Sequence, residues 1–152
     1  MTKTLSSPLG RAGSVAAAVA VALGLFCIWN GVTMLLVPAR WYWAVPGVPL
    51  TGGYNAHFIR DIGIVYALTG GGLIWGAASA ARRPMLWGLA AGWLTGHAGF
   101  HLVEVAVGIC GPDAIPRDFL AVTVPGLTAL ALALARAHGP HPTVTTAAAA
   151  SS

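Results

Sequence analysis

The stretch from Ser14 to Val37 reads SVAAAVAVALGLFCIWNGVTMLLV and contains no charged residue. A membrane span needs about 20 mostly apolar residues, because a helix rises about 1.5 Å per residue through about 30 Å of hydrocarbon. This stretch is apolar nearly all round. Such a helix lies either in lipid or inside a large soluble body. A chain of 152 residues leaves too few to build that body. Three more stretches qualify: 57–80 (HFIRDIGIVYALTGGGLIWGAASA), 84–108 (PMLWGLAAGWLTGHAGFHLVEVAVG) and 118–136 (DFLAVTVPGLTALALALAR). Pro38 should end the first and Pro84 suits the first turn of the third. Pro125 should kink the fourth, since its ring removes a backbone hydrogen bond.

Composition agrees. Hydrophobic residues make up 57% of the chain and charged residues 8%. Soluble domains carry about 25% charge. The balance excludes an ordinary soluble domain, and it excludes disorder, which requires low hydrophobicity. The expectation is an all-α bundle of four transmembrane helices over residues 1–137. A disordered cytoplasmic tail of Pro, Thr, Ala and Ser follows over 138–152. His138 and His141 in that tail read as solvated. The first span is too long for a signal peptide, and Phe26 is the wrong neighbour for a lipoprotein cysteine at Cys27.

Basic residues set the orientation. Lys3, Arg11, Arg82, Arg83 and Arg136 fall on one side of the four spans. Arg40 and Arg117 fall on the other, offset by Asp113 and Asp118. The first side is expected to be the cytoplasm of a bacterial inner membrane, with both termini inside.

The longest connection, Pro38 to Ala56, holds Trp41, Tyr42 and Trp43. These rings suit the headgroup level and read as interface anchors. A lid over an outer site is the sharper alternative, because the loop is rich in Pro and Gly. Cys110 lies in the other outer connection. Cys27 lies deeper by about 18 Å, and a disulfide needs Cα atoms within about 7 Å, so the two do not pair.

The informative residues are ionisable groups inside the spans, each costing about 2.5–3.5 kcal/mol to insert. His57, Arg60 and Asp61 open the second span. His97, His101 and Glu104 lie on the third. His57 and Asp61 are about 40° apart around their helix, and the other three fall within about 60°. Asp61 and Glu104 lie about 6 Å below the outer ends and His101 about 10 Å. The small-residue stripe Gly88, Gly92 and Gly96 reads as a helix-packing face.

Several readings are open. In the first, His57, Asp61, His101 and Glu104, with His97 optional, ligate zinc, iron, manganese or copper, and Arg60 is a charge partner. In the second, axial histidines hold haem. In the third, the groups form an interhelical ion-pair network in a non-catalytic accessory subunit. A small oligomeric transporter or a quinone-linked redox subunit is a further reading. Expected partners are the lipid bilayer and a homo-oligomer or larger membrane complex, with no nucleic acid. The chain has no nucleophile–base pair, phosphate loop or cysteine metal motif, which argues against a hydrolase or nucleotide-driven pump.

The run GGYNAHFIRDIGIVYALTGGGLIWGA followed by HAGFHLVE resembles a group of small bacterial four-span membrane proteins. In layout these are similar to DoxX-like proteins. The resemblance covers nearly the whole chain in layout, and its specific part is His57–Ala77 and His97–Glu104. The DoxX name implies a membrane subunit of a quinone-linked oxidoreductase. No motif here carries that activity over, so the resemblance bears on the fold alone.

Overall fold

Pro38 ends one helix and begins another. The structure is a computed structural model that describes residues 8–137, with side chains from 13 to 135. Helix α1 (Pro8–Leu36) stops two residues before the proline, which then occupies the first turn of α2 (Pro38–Ala44). A missing N–H is harmless there. A short turn, α3 (Val48–Thr51), follows, so the connection expected to be a loop is largely helical. Helix α4 (Ala56–Ala78) starts at Asn55, whose side-chain oxygen accepts from the N–H groups of His57 and Phe58, both at 3.1 Å. That cap contributes about 1 kcal/mol. Helix α5 spans Arg83–Ala106. The last segment is α6 (Ala114–Asp118), a π-helical turn (Phe119–Thr123) and α7 (Val124–Ala137).

The described chain is all-helical. Three segments are long and apolar enough to cross a membrane: Gly13–Leu36, Ala56–Ala78 and Ala114–Ala135. They mark a multi-pass membrane protein. Helix α5, with 24 residues, has the length, but Arg83, His97, His101 and Glu104 make it more polar. The termini beyond 8–137 lie outside the described residues, including the tail with His138 and His141.

The closest packing is between α1 and α4. A Cβ on Gly31 would stand 2.5 Å from the Gly63 carbonyl oxygen, and one on Gly24 would stand 2.8 Å from that of Gly70. The two pairs are seven residues apart on each helix, so the antiparallel helices meet at glycine twice along one seam. By contrast, a Cβ on Gly88, Gly92 or Gly96 would meet nothing within 4 Å. Among the described residues, no neighbouring helix approaches that stripe.

Helices α5 and α7 pack together, and α4 joins α5 to the first pair. At the α4–α5 turn, Arg83 donates to the carbonyls of Gly76 and Ala77, both at 2.8 Å, closing the end of α4. Trp87 is fully buried and donates to the Leu73 carbonyl at 3.1 Å. The core continues through Cys27, Met34, Tyr66, Ala91 and Leu94. Cys27 and Cys110 are both free, and Cys27 serves as a small core residue.

The π-helical turn has a local cause. In a regular α-helix the ring of Pro125 would press on the carbonyl of Ala121. Widening the preceding turn moves that carbonyl away, and the Val124 N–H bonds five residues back to Phe119. The expected distortion at Pro125 therefore takes this particular form.

Candidate functional site

A cavity of about 1340 Å³ opens among the described residues. It lies among α1, α2, α5 and the α6–π segment. Its depth follows from the residues of α5 that line it. They run from Gly92 to Glu104, about 18 Å along the helix. Phe26, Trp29, Met34, Phe58, Tyr66, Trp93 and Phe100 make most of its wall apolar and aromatic. Phe26, Trp29, Phe100 and Leu120 line it and yet are 40–77% exposed. Phe26 lies ten residues below the end of α1, about 15 Å. The opening is therefore on the side of the bundle, at the level of the apolar core of the spans.

Charged groups gather toward one end. Glu104 is near the end of α5, Arg117 and Asp118 are on α6, and Arg40 is on α2. All belong to the end where α1 stops and α4 starts. Asp118 is the best-held of them, with its side chain only 12% exposed. It accepts from Arg117 Nε at 2.8 Å and Nη2 at 3.2 Å. It also lies 2.9 Å from His101 Nδ1. An ionised carboxylate can only accept, so His101 Nδ1 carries a proton and donates it to Asp118. Arg117 also reaches Asp113, at 3.6 Å.

Arg117 is held on its other flank. Gly47 turns with φ of +89°, and a Cβ there would stand 2.6 Å from the guanidinium. Glycine is needed at this position for both conformation and space.

The histidines of α5 form an aromatic ladder. His97 stacks on Trp93 with centroids 5.8 Å apart and meets His101 edge-on at 4.8 Å. Tyr66 of α4 abuts both Trp93 and His97. The Trp93 Nε1–H is buried without a hydrogen-bond partner among the described residues. Glu104 and Arg40 line the same cavity, and neither side chain has an ion-pair or hydrogen-bond partner among the described residues.

The structure divides the expected metal set. His57 pairs with Asp61 at 3.4 Å on the outside of α4, where the two side chains are 90% and 56% exposed. His97, His101 and Glu104 face the cavity instead. Among the described residues, no group of three or more His, Cys, Asp or Glu is placed to hold a metal ion. The helical offsets were compatible with one site, but offset alone does not decide which neighbour each face meets. Arg60 also differs from expectation. It donates to the Leu35 carbonyl at 3.2 Å and not to a carboxylate.

The aromatic trio divides too. Trp41 donates to Asn30 Oδ1 at 2.8 Å and lines the cavity. Tyr42 is buried and donates to the Gly52 carbonyl at 2.6 Å. Only Trp43, 70% exposed, keeps the outward placement of an anchor. Sequence reasoning missed Arg117 and Asp118 as cavity residues because they were assigned to the outer flank. Their signal was depth, since Asp118 begins the fourth span at the level of Glu104. No protein-family model, curated protein or solved structure matches the chain.

Proposed function

We propose that this protein is a four-span protein of a bacterial inner membrane, with both termini cytoplasmic, that binds an amphipathic small molecule in its lateral cavity. α5 supplies the fourth span. Its length and its packing between α4 and α7 support that assignment. The DoxX-like layout is proposed for the fold only.

One observation carries the functional reading. A large cavity with apolar, aromatic walls opens at bilayer depth and ends at a few polar groups. Ligand sites are typically apolar with a small number of placed polar groups, and typical volumes are about 300–1,000 Å³. This cavity exceeds that range, which favours a ligand with a chain over a compact soluble one. His101 and Arg117, fixed through Asp118, supply oriented polar contacts at one end. The metal set is not carried forward, because His57 and Asp61 are turned away from the other groups.

The test is native mass spectrometry of the full chain after gentle removal of detergent. The reading predicts one retained amphiphile per chain, and its loss in a Gly96→Leu variant. Gly96 lines the cavity and a Cβ there would meet nothing within 4 Å, so a leucine side chain can start into the cavity without a clash at its first carbon. A bare chain that takes up no added amphiphile, or equal retention by Gly96→Leu, overturns it.

A second reading has its own observation. The Arg117–Asp118–His101 chain ties α5 to α6, as an interhelical network in an accessory subunit would. On that reading, His101→Ala lowers thermal stability and leaves amphiphile binding intact.

A further inference from the structure

The cavity has an unused pair of opposite charges. The Asp118 carboxylate and the Arg117 guanidinium neutralise each other, and His101 bonds the same carboxylate, so neither of these two charges is unmatched. Arg40 and Glu104 are different. Each lines the cavity, and neither has a partner among the described residues. A carboxylate without a partner near hydrocarbon is costly to insert. A guanidinium binds phosphate-type oxygens through paired N–H donors. Phe100 lies one turn before Glu104 and lines the same cavity. An aromatic face beside a carboxylate suits an ammonium group.

We propose that the ligand is a zwitterionic phospholipid with an ammonium head, taken laterally from the bilayer. Its phosphate lies at Arg40, its ammonium at Glu104 and Phe100, and an acyl chain runs down the wall past Trp93 toward Phe26. This rests on the amphiphile-binding reading above and adds the head chemistry. An anionic lipid would satisfy Arg40 and leave its charge facing Glu104. A soluble zwitterion would satisfy both charges and leave the apolar wall empty.

The experiment uses the delipidated full chain in detergent. It is titrated with phosphatidylethanolamine, phosphatidylglycerol of the same chains, and soluble phosphoethanolamine, and bound lipid is counted by native mass spectrometry. Wild-type protein should prefer phosphatidylethanolamine over phosphatidylglycerol by about tenfold, the scale of one charge-assisted contact. Glu104→Gln should erase that preference. Arg40→Gln should weaken both lipids. Soluble phosphoethanolamine should not compete at equal concentration. Equal affinity of the wild type for the two lipids overturns the head assignment, as does a preference that survives Glu104→Gln. Competition by the soluble head overturns the bilayer source. If neither lipid binds, the amphiphile reading itself fails. The wild-type comparison needs no variant, so a misfolded substitution does not leave the proposal untested.

Discussion

At the residue scale, the glycines make opposite predictions from one residue type. Gly88→Ala and Gly92→Ala place a methyl in open space and remove backbone entropy. Each should stabilise the protein by about 0.5–1 kcal/mol in detergent thermal melts. Gly31→Ala and Gly63→Ala drive a methyl into the α1–α4 seam. Each should destabilise by about 1–3 kcal/mol, the usual cost of overpacking. Both seams were present as spacing in the sequence. The four-residue stripe of α5 was conspicuous, but within the described residues Gly92 and Gly96 line a cavity and meet no helix. The decisive signal was quieter: Gly24 and Gly31 on one span, Gly63 and Gly70 on another, with equal separations. Spacing reports which glycines share a face. It does not report which helix that face meets.

At the element scale, Pro125 does more than bend a helix. The π-helical turn before it lies between α7 and Asp118, the α6 residue that bonds His101 of α5. Replacing Pro125 is expected to let the turn relax to α-helix and to turn Asp118 away from His101. A double-mutant cycle between His101→Ala and Asp118→Asn should give about 0.5–3 kcal/mol of coupling in the native sequence. The coupling should fall toward zero in a Pro125→Ala background. Unchanged coupling would mean that the turn does not position the pair. The long helices themselves were legible, since apolar runs bounded by Pro38 and Pro84 left little choice. The ends of α4 and α5 lie within two residues of the expected bounds, whereas α1 begins at Pro8, six residues before Ser14, and the fourth stretch is divided among α6, the π-helical turn and α7. Helix α2 was not legible as a wall of the site. Its aromatic run suits a headgroup belt equally well, and only the bond from Trp41 to Asn30 turns it inward.

At the scale of the whole molecule, the scarcity of charge is enough to identify lipid as the solvent. The placement of the charges gives the proposed orientation. Arg82 and Arg83 lie at the end of the described bundle opposite Arg40 and Arg117. A periplasmic reporter fused after Ser152 should be inactive, and the same reporter inserted after Gly52 should be active. The reverse pattern would refute the cytoplasmic termini. The site was half legible. His97, His101 and Glu104 stood out as ionisable groups in a span, and they do line the cavity. His57 and Asp61 shared their depth but not their direction, and depth is all that hydropathy provides. The cavity was invisible in the sequence, because a void is made by the spacing between helices.

The central claim is that this void holds a lipid-like chain. The most direct measurement is photolabelling of the protein in its membrane with a phospholipid whose acyl chain carries a diazirine, followed by peptide mapping. Labels are expected on the inward residues Met34, Tyr66 and Trp93, and should be lost in Gly96→Leu. Labels confined to outward residues such as Leu68, Leu89 and Leu134 would contradict the claim.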